Sequence, residues 1–156
     1  MKRTLVAILL VFSLTGRSHE LEQTALRDSI VSFAEHYLGT PYLYAGASEK
    51  GFDCTGFVYF VFNHFGIKTS RSSSGFENAE GFTETEHAQK GDIILFTGTN
   101  SEIRKVGHAG IVYKNVDGTL DFIHSSSSKN HFGVTITRFT TSPGYQKRYL
   151  RVINIL

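Results

Sequence analysis

Three side chains in this sequence have the chemistry of a nucleophile and a proton acceptor: Cys54, His108 and His124. Cys54 is the chain's only cysteine, so it cannot close an intramolecular disulfide. It stands in Gly51-Phe52-Asp53-Cys54-Thr55-Gly56, directly ahead of the apolar run Phe57-Val58-Tyr59-Phe60-Val61-Phe62. That run reads as a buried helix ending near Gly66. Cys54 then lies at the helix N-terminus, where the partial positive charge favours a thiolate. The plainer role for an isolated cysteine is a small buried hydrophobe. A thiol nucleophile also needs a base, and the base needs a third group to fix its ring.

Seven histidines are available as that base. His19, His36 and His64 fall in or before helices and read as surface residues, while His87 and His131 lie in polar loops. His108 and His124 differ, because each sits on a predicted strand beside small or apolar neighbours. The two strands are close in sequence, so a hairpin is the simplest connection between them. Register then decides whether they meet. A two-residue turn at Asp117-Gly118 offsets the two histidines by three residues and points them to opposite faces. A three-residue loop centred on Val116 places them directly opposite on one face, as would an equivalent bulge. Both remain open at this level. Cys54, His108 and His124 could also hold a zinc ion with one open position, but no local pair has metal-ligand spacing.

The elements that must position these residues can be read in outline. Residues 21–38 carry apolar side chains at Leu26, Ile30, Ala34, Tyr37 and Leu38, one stripe of an amphipathic helix stopped by Gly39. Residues 40–46 form an extended turn into the Cys54 segment. Residues 71–86 look like a surface loop with one helical turn. Strand patterns follow at 92–96, 108–113, 120–124 and 134–139, with 149–155 as a fifth. Ser125 to Ser128 reads as a loop rather than a recognition element. Helices first and strands after is the order of an α+β fold, with N-terminal helices packed on a central antiparallel sheet of about five strands.

The bulk numbers fit one domain: 156 residues, 40% of them apolar. Lys2 and Arg3 precede an apolar segment too short to span a bilayer comfortably, the pattern of a secretory signal. Residues 1–18 are therefore expected to be a leader, with no stable membrane span after cleavage, and residues 19–156 a single catalytic domain. The leader carries Lys2, Arg3 and Arg17 and no acidic residue, which leaves 13 basic against 14 acidic side chains in the remainder. Most of the chain's basicity belongs to the leader, and no nucleic-acid partner is expected. Export also leaves one thiol in an oxidising compartment, where idle thiols do not persist.

Five segments together resemble the NlpC-type cell-wall cysteine peptidases, which have a reduced papain-like fold. They are Gly39-Thr40-Pro41-Tyr42-Leu43-Tyr44-Ala45-Gly46, Gly51-Phe52-Asp53-Cys54-Thr55-Gly56-Phe57-Val58, Gly91-Asp92-Ile93-Ile94-Leu95-Phe96, His108-Ala109-Gly110-Ile111-Val112-Tyr113 and Phe122-Ile123-His124-Ser125. The resemblance implies Cys54 as nucleophile, His108 as general base and His124 as the residue that orients it. It implies that Tyr42 binds substrate or stabilises the oxyanion, that Asp53 shapes the substrate pocket, and that Thr55 belongs to the same substrate-binding or oxyanion group. Thr55 stands where serine is usual, and either can cap a helix. The implied substrate is the stem peptide of peptidoglycan or a muropeptide, cut between γ-D-glutamate and a diamino acid through a thioester. No metal or cofactor is implied. The expected protein is a monomer, exported to the periplasm or cell exterior. The alternative on the same scaffold is a cysteine amidase or acyltransferase with a different substrate.

Overall fold

The computed structural model describes residues 2–77, 83–84 and 87–156. A single helix, α1 (Lys2–Glu35), carries both the apolar start of the chain and the amphipathic stripe. Met1 of the expected leader lies outside the described residues. Ile30, Val31 and Ala34 are buried, and Leu26, Phe33 and Tyr37 pack partly buried against the same core. Leu38, expected in that stripe, is instead exposed. The reason is local: the helix stops at Glu35 and its last turn tightens. The N–H groups of His36, Tyr37 and Leu38 each donate to the carbonyl three residues back, which rotates Leu38 off the stripe. Among the described residues no helix is long and apolar enough to cross a membrane.

A small ribbon of β1 (Ala47–Ser48) and β2 (Gly51–Phe52) leads into α2 (Cys54–His64). Asp53 is the N-cap of α2, and its Oδ1 accepts the Gly56 N–H at 2.6 Å. Gly56 must lack a side chain, because a Cβ there would collide with the Gly46 carbonyl. The helix ends as Gly66, with positive φ, donates to Asn63 and Ile67 donates to Phe62, the paired bonds of a Schellman motif. The expected loop at 71–86 contains the helical turn α3 (Ser73–Glu77) and a two-residue strand, β3 (Thr83–Glu84). Residues 78–82 and 85–86 of that loop lie outside the described residues.

The rest of the chain builds the sheet. Its strands are β4 (Ile93–Thr97), β5 (Val106–Val116), β6 (Thr119–Ser126), β7 (Gly133–Arg138) and β8 (Tyr149–Asn154). Between β7 and β8 lie a 3₁₀ turn (Phe139–Thr141) and a short helix, α4 (Pro143–Arg148). The order is β3-β8-β4-β5-β6-β7, antiparallel throughout. The five expected strands are all present, and β3 adds a sixth at the edge.

Both faces of this sheet are covered, which is why all five residues of β4 are buried rather than alternate ones. One face sends Ile93, Leu95, Ala109, Ile111 and Ile123 against α1 and α2. The other buries Ile94, Phe96, Val112, Phe122 and Val152 under Phe139, Tyr145 and Tyr149. A buried ion pair ties α1 to the sheet: Arg27 Nη1 meets Asp92 Oδ1 at 2.7 Å and also bonds the Lys90 carbonyl. β4 and β6 end, and β5 and β8 begin, at the same end of the sheet. The N-terminus of α2 arrives there.

Candidate active site

Cys54, His108 and Tyr42 line one cleft of about 300 Å³ at that end of the sheet. The hairpin of β5 and β6 brings the two histidines together by a route that combines features of both sequence readings. Its turn is the tight one: Asp117 and Gly118 both have positive φ, and Val116 pairs with Thr119. Alone, that register would separate His108 from His124. A bulge between Val112 and Lys114 then shifts the pairing by one residue, so that Val112 faces Phe122 and Ile111 faces Ile123. His108 and His124 end as diagonal neighbours on one face. Their rings meet at 88°, with His108 Nε2 and His124 Nδ1 at 2.9 Å. Gly110 makes room, since a Cβ there would press on the Phe122 ring at 2.7 Å and on His124 Cβ at 3.1 Å.

The chain of polar contacts continues away from the cleft. His124 Nε2 lies 2.9 Å from Thr137 Oγ1 on β7. Both imidazoles are buried, His124 completely. Burial pushes His108 down to about 3, with the Arg148 cation adding to the effect. His124 is driven well below its ordinary value by burial first, then by His108 and Arg148. At neutral pH both rings are uncharged.

The thiol differs from its sequence reading. The helix N-terminus was expected to favour a thiolate, yet burial pushes the Cys54 thiol up. The Ala109 backbone N–H pulls the other way without reversing it, and the neighbouring Asp53 charge pushes it up again. The resting pair is therefore a neutral thiol beside a neutral imidazole. Tyr42 stays a protonated phenol, raised by burial and then by Cys54 and Asp53.

Asp53 and Thr55 do not line the cleft. Asp53 is occupied as the α2 cap and as the partner of Arg71, whose Nη1 and Nη2 reach its two carboxylate oxygens at 2.9 Å each. Thr55 is not the cap; it is buried in the first turn of the helix, where its hydroxyl donates to Asp53 at 3.3 Å and accepts from Arg71 at 3.2 Å. Arg71 also bonds the Gly46 carbonyl, so it clamps the turn that presents Cys54. Among the described residues no group of three or more His, Cys, Asp or Glu could hold a metal ion.

Sequence reasoning missed several residues here. Tyr145 on α4 packs its ring against His108, His124, Phe96 and Phe122. Arg148, one turn on, lines the cleft with it. The signal for α4 was present: Ser142-Pro143 is a helix start, with Ser142 at the cap and Pro143 at the first position. Ser126, Ser127 and Ser128, read as a plain loop, also line the cleft. Thr137 and Arg71 carried no sequence signal for their roles.

A helix that presents a cysteine at its N-terminus, against a histidine on an adjoining antiparallel sheet, defines the papain-like class. The comparisons with known proteins narrow this further. The chain belongs to the NlpC/P60 family, whose model matches residues 39–154. It is 32% identical over 133 residues to a γ-D-glutamyl-L-lysine dipeptidyl-peptidase of Bacillus cereus, covering 85% of this chain and 38% of that protein. It is 31% identical over 121 residues to the probable peptidoglycan endopeptidase LytE of Bacillus subtilis, covering 78% of this chain and 32% of that protein. A crystal structure of an NlpC/P60 family protein from Bacillus cereus superposes with a TM-score of 0.70 at 32% identity, over 83% of this chain and 40% of that one. The chain thus spans 32–40% of the length of these relatives.

Proposed function

We propose that this chain is an exported cysteine endopeptidase acting on peptidoglycan stem peptides, at the bond between a γ-D-glutamyl residue and a diamino acid. The observation that carries the reading is the single cleft shared by the Cys54 thiol and His108, with His108 backed by His124 and Thr137. The two relatives named for a γ-D-glutamyl-L-lysine bond and for peptidoglycan support the substrate class. Lys2, Arg3 and the apolar run behind them support export, with residues 1–18 as a leader and 19–156 as the catalytic unit, acting as a monomer.

In this mechanism the base role fixes the tautomers. His108 Nδ1 must be unprotonated to accept the thiol proton, so Nε2 carries the ring hydrogen and donates to His124 Nδ1. His124 then holds its own hydrogen on Nε2 and donates to Thr137 Oγ1. Every hydrogen bond in the line has one donor and one acceptor, which holds the His108 ring in place. As the peptide carbonyl approaches, the Cys54 proton passes to His108 and sulfur attacks carbon. The negative oxygen is met by backbone N–H groups at the start of α2 and by the Tyr42 phenol. Collapse breaks the C–N bond, and the amine leaves with the proton from His108. Water then attacks the thioester, giving its proton to His108, and the returning thiol releases the γ-glutamyl acid.

The neutral resting pair sets when charge appears. A thiolate and an imidazolium form only as substrate displaces water from the cleft and the oxyanion donors engage. Mass spectrometry of muropeptides digested by wild type and by Cys54→Ala tests the proposal. The expected products end in a new γ-D-glutamyl carboxyl group and begin with a free diamino acid amine. Equal digestion by Cys54→Ala would refute it.

A further inference from the structure

Among the described residues Arg148 is the only Lys or Arg lining the cleft, and no Asp or Glu lines it. The arginine is held rather than waving in solvent. Its Nε and Nη2 both donate to the Thr97 carbonyl, at 3.2 and 2.9 Å, and its guanidinium carbon lies 5.3 Å from the centre of the Tyr145 ring. A guanidinium has five N–H donors, and those two contacts leave others directed elsewhere. Among the described residues no carboxylate pairs with Arg148. Hydroxyls stand nearby: Ser126, Ser127 and Ser128 line the same cleft. Ser126 accepts the Ser128 N–H at 3.1 Å, which curls this segment at the end of β6. A positioned, uncompensated cation with hydroxyls beside it suits a carboxylate ligand.

We propose that Arg148 is the specificity residue of this cleft and binds a free carboxylate on one of the two residues joined by the scissile bond. The inference rests on the proposed peptidase reading and deepens it. The chemistry of a γ-linkage provides such a group: joining glutamate through its side chain leaves its α-carboxylate free, whereas an α-linkage consumes it. A diamino acid on the leaving side is the second source of the same group. Recognition and catalysis are coupled through the same arginine. Arg148 is one cause of the depressed basicity of His108, and a bound carboxylate would offset its charge. The base is thereby strengthened when the acidic substrate is seated, so loss of the carboxylate lowers kcat as well as raising KM.

Three peptides test this: L-alanyl-γ-D-glutamyl-L-lysine, its carboxamide at the glutamyl α position, and its carboxamide at lysine. With wild type, we expect one amide to lose roughly 10- to 100-fold in kcat/KM, the worth of one hydrogen bond to a charged group. The amide that suffers identifies which carboxylate is held. Arg148→Gln should level the acid-to-amide ratio, and Arg148→Lys, which keeps the charge and guards against a simple folding defect, should retain part of it. The same peptides are titrated calorimetrically into Cys54→Ala and into Cys54→Ala/Arg148→Gln, a readout that needs no turnover. If no peptide is cut, the bond assignment falls, and preferential acid binding that disappears with Arg148 still upholds this inference. Wild type indifferent to both amides, or an acid preference unchanged in Arg148→Gln, overturns it.

Discussion

The neutral imidazole of His108 should make this protein lose stability steadily on mild acidification. In the folded chain burial holds His108 down to about 3, against an ordinary value of 6.5. Between those values the unfolded chain binds a proton that the folded chain refuses, so stability is full above pH 6.5 and falls as pH drops. One such group costs about 2 kcal/mol between pH 6.5 and pH 4.5, at about 1.4 kcal/mol per pH unit once the unfolded imidazole is charged. His124, driven down for the same first reason, adds to the loss in the same direction. Urea denaturation of wild type and His108→Gln at the two pH values isolates the His108 share. Carboxylates elsewhere titrate alike in both proteins and cancel in the difference. The expected result is a pH dependence smaller by about 2 kcal/mol in His108→Gln. An unchanged dependence would mean that His108 is charged in the folded resting state, as in a preformed thiolate–imidazolium pair. That would overturn the neutral-pair mechanism, because the proton would already have left sulfur before substrate arrived.

Two further outcomes test the scaffold. Arg27→Met leaves the fully buried Asp92 carboxyl without its 2.7 Å partner, and should cost about 3–5 kcal/mol in thermal or urea unfolding. Gly110→Ala puts a methyl group against Phe122 and His124 Cβ, and should cost about 1–3 kcal/mol while pushing the histidines apart. Its kcat should fall more than its stability explains at a temperature where the protein remains folded, and an unchanged kcat would show that the His108–His124 contact is dispensable.

Much of the architecture could be read from periodicity and punctuation. The stripe Leu26, Ile30 and Ala34 marks the packed face of α1, and Gly66 marks the end of α2. The five long strands lie within a few residues of their sequence positions, because apolar runs bounded by turn residues are local signals. Leu38 shows the limit of that logic. A helix can stop four residues before its glycine, and the face of the last apolar residue changes with it.

The site shows where local signals end. Residue types alone single out Cys54 at a helix start and His108 and His124 on neighbouring strands, because few side chains can serve as nucleophile or base. Whether the histidines meet depended on a single bulge between Val112 and Lys114, and register is a property of two strands packed together, not of either one. Proton placement was likewise a tertiary matter. The helix terminus argued for a thiolate, but the cost of burying a charge comes from everything packed around Cys54 and outweighs the local dipole. Asp53 and Thr55 were assigned to the substrate pocket, and a cation from another segment, Arg71, drew both into the support of the α2 turn instead. Arg148 and Ser126 to Ser128 reached the cleft only because β4, β6 and α4 end at the same corner of the sheet. The sequence by itself determined which atoms are able to react. Only the folded chain, by setting register and excluding water, decided which of them meet, which are charged, and what charge a ligand must bring.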